Sequence, residues 1–599
     1  MKLSDYVIGQ LREWGVRHVF LITGGGAMHL NDSIGTSGLR YLCTHHEQSA
    51  AMAAEGYARI TRMPGILNVT TGPGGINALN GVFGAWTDSI PMLILSGQVK
   101  RETCMATYGL TDLRQLGDQE VDIIRMVRGI TKYAVFVNDP ETIAYHLERA
   151  WYLARSGRPG PCWIDIPVDV QSAHIDPDSL RHYDPSEDAI IFDPARVASQ
   201  VADVLTKLRQ AQRPVILAGS GVRLSGAIPE FERVIRALRI PVVTAWTHDL
   251  IASDDELFCG RPGTIGERAG NFTVQNSDLL LVLGSRLNIR QTSYNWKSFA
   301  RFAIKIQVDV DSAELRKPLH QPNIPIHCDL KLFLTEMARQ LEGKFTPYLQ
   351  HQEWLATARQ WKVKYPVVQP SQRVSGPPLN PYDFIERLFE ILGPDDAIVC
   401  GNATACIVPF QAAKLKKGQR LISNSGSASM GYDLPAAIGV AVARKGRTIC
   451  LAGDGSLQMN VQELQTLVGY NLPIKLFVLN NGGYLSIKQT QTGFFEGRRI
   501  GEGPDSGVTF PDMVRLGNAY GIPSFRIEKA DDLKIIELEL EKPGPILFDV
   551  YLDAKQEFEP RLRSRILPDG KILTPNLEDM YPFLTPEELA SNILVEDKQ

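Results

Sequence analysis

The stretch RTICLAGDGSLQMNVQELQTL (residues 447–467) and the stretch IKLFVLNNGGY (residues 474–484) together decide the fold of this chain. Each contains a short apolar run that predicts a buried strand, and each run ends at polar residues beside glycine. The amphipathic segment between the two runs predicts a helix. The strands are therefore expected to be parallel, with their polar ends at the edge where open α/β sheets bind ligands.

The polar groups at these two strand ends have the chemistry of a site for a divalent metal and a diphosphate. Asp454 offers an anionic oxygen and Asn481 a neutral one, which suits Mg²⁺ when phosphate oxygens complete the coordination shell. Gly453 and Gly455 allow backbone amides to approach the phosphates closely. We predict a metal–diphosphate site here, and the alternative is two unrelated turns.

Apolar strands alternate with helical segments along the whole 599-residue chain, which predicts parallel sheets. We predict an α/β protein with three Rossmann-like, doubly wound parallel-sheet domains and a wrapping C-terminal tail. The predicted boundaries are residues 1–180, 190–345 and 375–560 for the domains and 561–599 for the tail. The predicted strands span residues 18–22, 65–71, 91–97, 161–167, 214–219, 241–246, 278–284, 304–311, 397–401, 447–453, 474–480 and 545–551.

Composition and charge exclude several classes of protein. Hydrophobic residues at 44% and charged residues at 22% are ordinary for a globular protein, and a net charge of -4 without a basic stripe argues against nucleic acid as a main partner. No run of uninterrupted apolar residues is long enough to predict a membrane span, and the amphipathic N-terminus does not resemble a signal peptide. Eight cysteines without paired spacing are expected to be reduced core residues of a cytoplasmic protein.

The GDG sequence, followed one strand–helix–strand unit later by NN, resembles the cofactor signature of thiamine-diphosphate-dependent enzymes. Among these, the chain most resembles acetolactate synthase (acetohydroxyacid synthase) large subunits and the acetolactate-synthase-like enzymes that act on keto-sugars. The resemblance implies a pyrimidine-binding domain, a central domain and a diphosphate-binding domain, in that order. The stretches that carry it are THHEQSAAMAAEGYAR (44–59), VTTGPGGINALNGVFGAWTDSIPMLILSGQV (69–99), SGSASMGYDLPAAIG (425–439) and GDGSLQMNVQELQTL (453–467).

Glu47 is the predicted catalytic residue. It follows a strand-like segment and opens a predicted helix, whose N-terminus stabilises an anion. The resemblance implies that its carboxylate faces the aminopyrimidine of thiamine diphosphate and assists removal of the thiazolium proton. The alternative is a solvent-exposed glutamate in the first turn of a helix. His45 and His46 precede it, and we interpret them as local structure rather than as a catalytic pair.

Met430 is predicted to lie between the two rings of the cofactor, where an unbranched apolar side chain enforces a bent shape. The alternative is a core methionine near a helix start. The resemblance also assigns Gly483 to the metal together with Asp454 and Asn481. The residues that it assigns to the cofactor, besides Met430, are Pro73, Gly74, Asn77, Asn402, Ser427, Gly453, Gly455, Ser456 and Asn481.

The central domain raises the question of a second cofactor, because acetolactate synthases hold FAD there. The resemblance places Arg286 at the flavin phosphates and Asp309 or Asp329 at the ribityl or adenine end. The corresponding segments are residues 219–223, 261–267, 284–290 and 308–315. Glycine-rich turns are also needed by any Rossmann-like domain, and some relatives keep this domain empty.

Substrate contacts are expected on two glycine loops and on the acceptor side. Gly25 and Gly26 lie in the loop of residues 23–28, whose amides are predicted to contact the substrate. Gln119 matches a family glutamine near the cofactor, and Asp118 replaces a family phenylalanine on the donor side.

The acceptor side departs from acetolactate synthase. Thr490 stands where the family usually has a tryptophan, and the paired Asp-Arg of the central domain becomes Ile289-Arg290. Arg290 can still bind a carboxylate. These changes predict a roomier, more polar pocket that admits a bulkier acceptor, such as a nucleotide-linked keto-sugar.

Together these features predict a carboligase that uses thiamine diphosphate, Mg²⁺ and, as an open question, FAD. It would decarboxylate a 2-oxo acid, with pyruvate as the expected donor, and transfer the two-carbon unit to a second carbonyl. By resemblance, a homodimer or homotetramer forms the site from two subunits. The alternatives are transfer to a keto-sugar, a non-ligating decarboxylase or C–C hydrolase, a flavin-using oxidase and a non-catalytic scaffold. The acceptor and any regulatory subunit stay open.

Overall fold

The computed structural model describes residues 1–245, 249–343, 348–566 and 571–595. Three parallel β-sheets follow one another along the chain, so the predicted α/β class with three parallel-sheet units is confirmed. Within the described ranges, no helix is both long enough and apolar enough to cross a membrane. Parts of three predictions lie outside the described residues. They are residue 246 of a predicted strand, the domain boundary at residue 345, and residues 567–570 and 596–599 of the predicted tail.

The first sheet has six strands, and eight α-helices accompany it. The strands are β1 (His18–Leu21), β2 (Arg40–Cys43), β3 (Gly65–Val69), β4 (Met92–Gln98), β5 (Tyr133–Phe136) and β6 (Pro161–Pro167). The helices are α1 (Leu3–Glu13), α2 (Met28–Thr36), α3 (Glu47–Thr61), α4 (Pro73–Asp88), α5 (Met105–Tyr108), α6 (Ile123–Val127), α7 (Ile143–Arg155) and α8 (Val168–Gln171).

The second sheet has five strands. They are β7 (Pro214–Ala218), β8 (Val242–Thr244), β9 (Leu279–Leu283), β10 (Ile304–Asp309) and β11 (Ile324–His327). The accompanying helices are α9 (Pro194–Gln210), α10 (Gly221–Leu224), α11 (Ile228–Leu238), α12 (Arg268–Gln275), α13 (Ile289–Thr292) and α14 (Leu330–Leu341). Helix α15 (Leu349–Lys364) follows, and its Trp354 and Trp361 pack into the core of this second unit.

The third sheet again has six strands. They are β12 (Ala397–Cys400), β13 (Arg420–Ile422), β14 (Thr448–Gly453), β15 (Ile474–Asn480), β16 (Ser524–Ile527) and β17 (Ile546–Tyr551). The helices are α16 (Pro381–Ile391), α17 (Thr404–Ala412), α18 (Asp433–Ala443), α19 (Asp454–Leu457), α20 (Leu464–Gly469), α21 (Leu485–Phe494), α22 (Met513–Ala519) and α23 (Leu533–Glu539). The tail adds the antiparallel pair β18 (Arg565–Ile566) and β19 (Ile572–Leu573) and helix α24 (Pro586–Ser591).

All three sheets begin with the same strand order. The orders are β2-β1-β3-β4-β6-β5, β8-β7-β9-β10-β11 and β13-β12-β14-β15-β17-β16. In each sheet the winding direction reverses between the first and third strands, which are β1 and β3, β7 and β9, and β12 and β14. Open α/β sheets bind ligands outside the carboxyl ends of strands at such reversal points. The fold therefore offers three places for ligands.

Every strand predicted from the sequence is present, and β2 corresponds to the strand-like segment before Glu47, but β5, β11, β13 and β16 of the three sheets are not among the predicted strands. Each of these four lies at an edge of its sheet. Edge strands are partly exposed, so they lack the continuous apolar run that marks a strand buried on both faces. In β11, for example, only Ile326 is buried.

Helices α3 and α18 join the first unit to the third. They approach so closely that a Cβ atom added at Gly439 would lie 1.8 Å from the carbonyl oxygen of Ala53, and one added at Gly56 would lie 2.4 Å from that of Ala436. Both helices belong to one buried hydrophobic cluster. Because α3 begins at Glu47 and the loop before α18 carries Met430, this helix pair fixes the relative position of two predicted site residues.

The tail runs back over the second unit. The side chain of Asn271 donates to the carbonyl oxygen of Leu577 at 3.0 Å, and that of Gln275 donates to Glu578 at 2.7 Å. The indole of Trp361 donates to Asn592 at 2.9 Å.

Candidate active site

Glu47 lies at the start of α3, beside the reversal point between β1 and β3. The carboxamide of Asn77 donates a 2.9 Å hydrogen bond to its Oε2, and a Cβ atom added at Gly74 would lie 3.5 Å from its Oε1. Pro73 begins α4, where a missing N–H costs nothing. His46 is the N-cap of α3, and its Nδ1 accepts from the backbone N–H of Gln48 at 3.0 Å.

The two predicted glycine loops of the first unit lie side by side. The backbone N–H of Gly26 donates to the hydroxyl of Thr70 at 3.2 Å, which brings the loop of residues 23–28 against the loop of residues 70–75. The backbone of Gln119 packs against the loop of residues 70–75, because a Cβ atom added at Gly72 would lie 2.1 Å from the carbonyl oxygen of Gln119. The structure therefore brings Gly25, Gly26 and Gln119 to the end of the sheet where Glu47 lies.

Asp454 follows the last residue of β14, and the residue is 2% exposed. Its Oδ1 accepts from the N–H of Gly455 at 2.7 Å and its Oδ2 accepts from the N–H of Gly483 at 3.0 Å. Burial raises the pKa of Asp454 to about 6. Within the described residues Asp454 forms no ion pair, so a bound cation would supply the charge that a buried carboxylate requires.

Asn481 follows the neighbouring strand β15, whose Leu479 pairs with Gly453 of β14. Its carboxamide nitrogen donates to the hydroxyl of Thr404 at 3.0 Å, which orients the side chain. A carboxylate, an amide and backbone groups form a donor set that suits Mg²⁺. Gly455 lies against Tyr484, whose Cε1 would be 2.2 Å from an added Cβ atom, so this position has room only for glycine.

The hydroxyl of Ser456 supports the loop that carries Met430. It accepts from the backbone N–H of Gly431 at 2.8 Å and donates to Asp433 at 2.6 Å. Burial raises the pKa of Asp433 to about 6. Met430 itself is 36% exposed, which does not fit the alternative of a core methionine.

Asn402 and Ser427 belong to the same end of the third sheet. The side chain of Asn402 donates to the carbonyl oxygen of Ala428 at 2.9 Å, and the backbone N–H of Ser427 donates to the carbonyl oxygen of Asn424 at 3.0 Å. These residues follow β12 and β13, beside the reversal point between β12 and β14. The predicted diphosphate half of the site is thus assembled around one sheet end.

Asn460 connects helix α3, which begins at Glu47, to the loop that carries Met430 in the same chain. It accepts from the hydroxyl of Ser49 in α3 at 3.0 Å and donates to the carbonyl oxygen of Gly431 at 2.7 Å. Its backbone is not helical, so the single helix predicted after the GDG sequence is wrong, and α19, a 3₁₀ segment (Gln458–Glu463) and α20 replace it. Among the described residues, no hydrogen bond or ion pair joins Glu47 directly to Asp454.

A cavity of about 980 Å³ lies at the reversal point of the second sheet, and neither Glu47 nor Asp454 lines it. The turns after β7 and β9 meet there, since the N–H of Gly221 donates to the carbonyl oxygen of Gly284 at 2.9 Å. Its lining includes Arg286, Arg290, Asp309 and Asp329. Burial raises the pKa of Asp309 to about 6.

Two predicted features lie outside this cavity. The segment of residues 261–267 does not contribute to its lining. Thr490 is exposed on α21, and its hydroxyl donates to the carbonyl oxygen of Ser486 in the same helix at 2.9 Å. The structure therefore separates Thr490 from the residues that line the cavity.

Sequence reasoning missed the residues that position others. Thr404, Asp433 and Asn460 are all buried and all bond to predicted site residues or to their loops. Asp433 and Asn460 lie inside the quoted motifs, and a polar residue in an otherwise apolar segment is the signal that could have identified them.

Comparison with known families agrees with this geometry. Three models of thiamine pyrophosphate enzymes match the chain: the N-terminal TPP binding domain at residues 1–126, the central domain at residues 201–337 and the C-terminal TPP binding domain at residues 401–550. The chain belongs to the thiamine pyrophosphate enzyme family. Thiamine pyrophosphate is another name for thiamine diphosphate, and the first and last matches contain the two halves of the site.

Individual relatives extend the match to nearly the whole chain. The acetolactate synthase large subunit of Lactococcus lactis is 32% identical over 581 residues, which cover 95% of this chain and 96% of the relative. The acetolactate synthase large subunit of Cyanidium caldarium is 34% identical over 570 residues, which cover 93% of this chain and 94% of the relative. The chloroplastic acetolactate synthase 2 of Nicotiana tabacum is 32% identical over 587 residues, which cover 94% of this chain and 84% of the relative. This thiamine pyrophosphate enzyme is a transferase similar to acetolactate synthase.

Proposed function

We propose that this enzyme is a Mg²⁺-dependent carboligase that decarboxylates a 2-oxo acid, with pyruvate as donor, and transfers the two-carbon unit to a second carbonyl compound. The observation that carries the proposal is the pair of polar centres at two sheet ends, Glu47 with Asn77 and Asp454 with Asn481. Mass analysis of the products from pyruvate tests it. Acetaldehyde without a ligated product would contradict ligation and favour a simple decarboxylase.

Each half of the site has a distinct task in this proposal. Asp454, Asn481 and the backbone of Gly483 would hold Mg²⁺, whose charge would offset that of the diphosphate. Glu47 holds a proton at the aminopyrimidine nitrogen, and Asn77 fixes the direction of its carboxylate. Bound thiamine diphosphate supplies the electron sink that decarboxylation of a 2-oxo acid requires.

The site is completed, in this proposal, by a second copy of the chain. Ile76 and Phe83 are each 41% exposed, lie seven residues apart on one face of α4 and belong to the helix that carries Asn77. Met459, beside Asn460, is 43% exposed. Exposed apolar side chains next to a polar site are typical of a protein interface. Light scattering of the purified protein tests whether it is a dimer or a tetramer.

FAD is the proposed ligand of the central cavity. The volume of this cavity, its position at a reversal point and its lining by Arg286 and the half-buried Asp309 support a dinucleotide, with Arg286 facing phosphates and Asp309 facing hydroxyl groups. Visible flavin absorbance in the purified protein tests the assignment. Oxygen uptake with pyruvate would favour the alternative of a flavin-using oxidase.

A nucleotide-linked keto-sugar is a second candidate acceptor, beside a 2-oxo acid such as 2-oxobutyrate. The observation that favours it is the small, exposed side chain of Thr490 at the position where the family resemblance expects tryptophan. Competition between 2-oxobutyrate and a nucleotide-linked keto-sugar, each offered with pyruvate, distinguishes the two. Exclusive formation of the 2-oxobutyrate product would contradict this candidate.

We also propose that the enzyme works in the cytoplasm. All eight cysteines are free, and seven of them are buried, which supports a reducing compartment. Fractionation of cells that produce the enzyme tests the proposal.

A further inference from the structure

A second cavity, of about 700 Å³, lies between the central unit and the third unit. Its walls come from residues 253–269, 362–373 and 386–416, and none of its lining residues lines the larger central cavity. The proposed carboligase reaction makes no use of it.

Arg261 is a buried cation in the wall of this second cavity, with a side chain that is 2% exposed. Its Nη1 donates to Glu267 at 3.1 Å and to the carbonyl oxygen of Phe410 at 3.2 Å. Its Nε and Nη2 are buried and have no hydrogen-bond partner within the described part of the chain. Unmade hydrogen bonds of a buried charged group are costly, so such donors call for an acceptor.

Lys362 places a second cation beside Arg261. Its Nζ lies 4.6 Å from the centroid of the Phe258 ring, and Cζ of Arg261 lies 5.2 Å from the same centroid. Two of the three Nζ protons are used, by the carbonyl oxygens of Ser253 and Phe258 at 3.0 Å each. Burial lowers the pKa of Lys362, the nearby Glu267 opposes that shift, and Arg261 adds to it.

The lining of the second cavity holds five cationic side chains and four carboxylates, which are Arg261, Lys362, Arg373, Lys414 and Lys416 against Asp254, Glu267, Glu386 and Glu390. Glu267 is the one carboxylate that forms an ion pair with Arg261 or Lys362 in the ranges that the structure describes. At this wall the buried Arg261 and the half-buried Lys362 therefore face Glu267 as their one ion-pairing carboxylate. At the rim, Lys414 is 62% exposed and adds a further cation that pairs with Glu386.

Part of the second cavity has an apolar wall. Val368, Phe389 and Leu415 line it and belong to the buried core of the third unit. The cavity thus offers cationic donors at one wall and a hydrophobic surface at another. A ligand that satisfies both needs an anionic group on an apolar body.

We propose that the second cavity binds a small organic anion, either a carboxylate or a phosphate ester, whose charged group lies against Arg261 and Lys362 and whose apolar body packs on Val368, Phe389 and Leu415. The site is separate from the substrate and cofactor sites, so it would serve an effector and not a reactant.

Calorimetric titration tests the proposal on the full chain saturated with thiamine diphosphate, Mg²⁺ and FAD, so that the other phosphate sites are filled. The probes are phenyl phosphate and phenylacetate, with inorganic phosphate and benzyl alcohol as the charge-only and apolar-only controls. We expect one site per chain for phenyl phosphate or phenylacetate, at least about tenfold tighter than for either control. The tighter probe identifies the ester or the carboxylate class. No binding of either probe would overturn the proposal.

A matched pair of variants on α15 locates the site. Lys362→Met should weaken probe binding by about tenfold or more, because a charge-assisted hydrogen bond is lost. Lys364→Met, two residues on and outside the cavity, should leave it unchanged. Equal binding by a folded Lys362→Met variant would overturn the assignment.

Hydrogen exchange of the unaltered protein gives a second readout that does not depend on folding of a variant. The bound probe should slow exchange in residues 253–261 and 362–373. Binding without protection of these segments would place the probe elsewhere and contradict the proposal. Loss of carboligase activity in any variant bears only on the proposed function, because the titration measures binding alone.

Discussion

The carboxamide of Asn77 in α4 donates a 2.9 Å hydrogen bond to Oε2 of Glu47 at the start of α3. In the proposed function this carboxylate exchanges a proton with a cofactor nitrogen, which requires a fixed direction, and this bond supplies one. The helix pair α3–α18 then relates Glu47 to the loop that carries Met430.

Asp454→Ala should abolish the Mg²⁺-dependent part of thiamine diphosphate binding. The buried carboxylate has no cationic partner of its own in the described structure, so its removal costs the metal a charged ligand. We expect an affinity loss of about a hundredfold in Mg²⁺. Calorimetry with and without Mg²⁺ measures it, and Asp505→Ala, whose side chain is 85% exposed, is the control. Unchanged affinity would count against the metal site.

Mixing two inactive variants should restore activity if the site is shared between subunits. A dimer of one Glu47→Gln chain and one Asp454→Ala chain contains one doubly damaged site and one intact site. Random exchange of subunits should therefore recover about one quarter of the unaltered activity. The measurement is product formation after the two proteins are mixed under conditions that permit exchange. Complete inactivity of proven mixed dimers would indicate that each site lies within a single chain.

Gly439→Ala should destabilise the protein and weaken cofactor binding. The added methyl group would lie 1.8 Å from the carbonyl oxygen of Ala53, so α18 must move away from α3. Overpacking of this kind costs about 1–3 kcal/mol. Gly9→Ala in α1 meets nothing within 4 Å and should be neutral or slightly stabilising. Thermal unfolding of both variants measures the difference, and equal melting temperatures would contradict the close approach of the two helices.

Asp165 should make the stability of the protein fall as pH rises. Its carboxyl is buried in β6, accepts from Ser96 at 2.5 Å and from Gln98 at 3.1 Å, and burial raises its pKa to about 7. Since the unfolded chain has the lower pKa, the folded state binds more protons between about pH 4 and about pH 7, and stability declines across that range. Above about pH 7 the full cost of the buried charge is present.

The Asp165→Asn variant removes this titration while keeping an oxygen that can accept from Ser96. We expect its melting temperature to gain on that of the unaltered protein as pH rises from about 5 to about 8. Asp505→Asn, an exposed control, should show no such gain. A constant difference across this range would mean that Asp165 does not titrate there.

The sequence predicts the interior of the fold better than its margins. Strands such as β4 and β15 are buried along their length and read as apolar runs. The edge strands β5, β11, β13 and β16 are short and partly exposed. Each of them pairs with a single neighbouring strand, so its formation depends on the rest of its sheet. A local pattern cannot reveal that dependence.

Some residues of the candidate site could likewise be predicted from the sequence, and others could not. Asp454 and Asn481 are recognisable because a metal–diphosphate site requires these residue types at adjacent strand ends. The contact of Ser49 with Asn460 joins residues 411 positions apart, and no local property of either residue predicts the other. The kink at Asn460 has the same origin, since its side chain bonds to α3 and to Gly431 instead of following a helical surface.

Exchange of the C2 proton of bound thiamine diphosphate for deuterium, followed by proton NMR, tests the central claim most directly. We predict rapid exchange in the unaltered enzyme and in the surface control Glu13→Gln. In Glu47→Gln the cofactor should stay bound, with exchange slower by about a hundredfold or more. Exchange at the unaltered rate in Glu47→Gln with the cofactor bound would contradict the role of Glu47 and with it the proposed reaction.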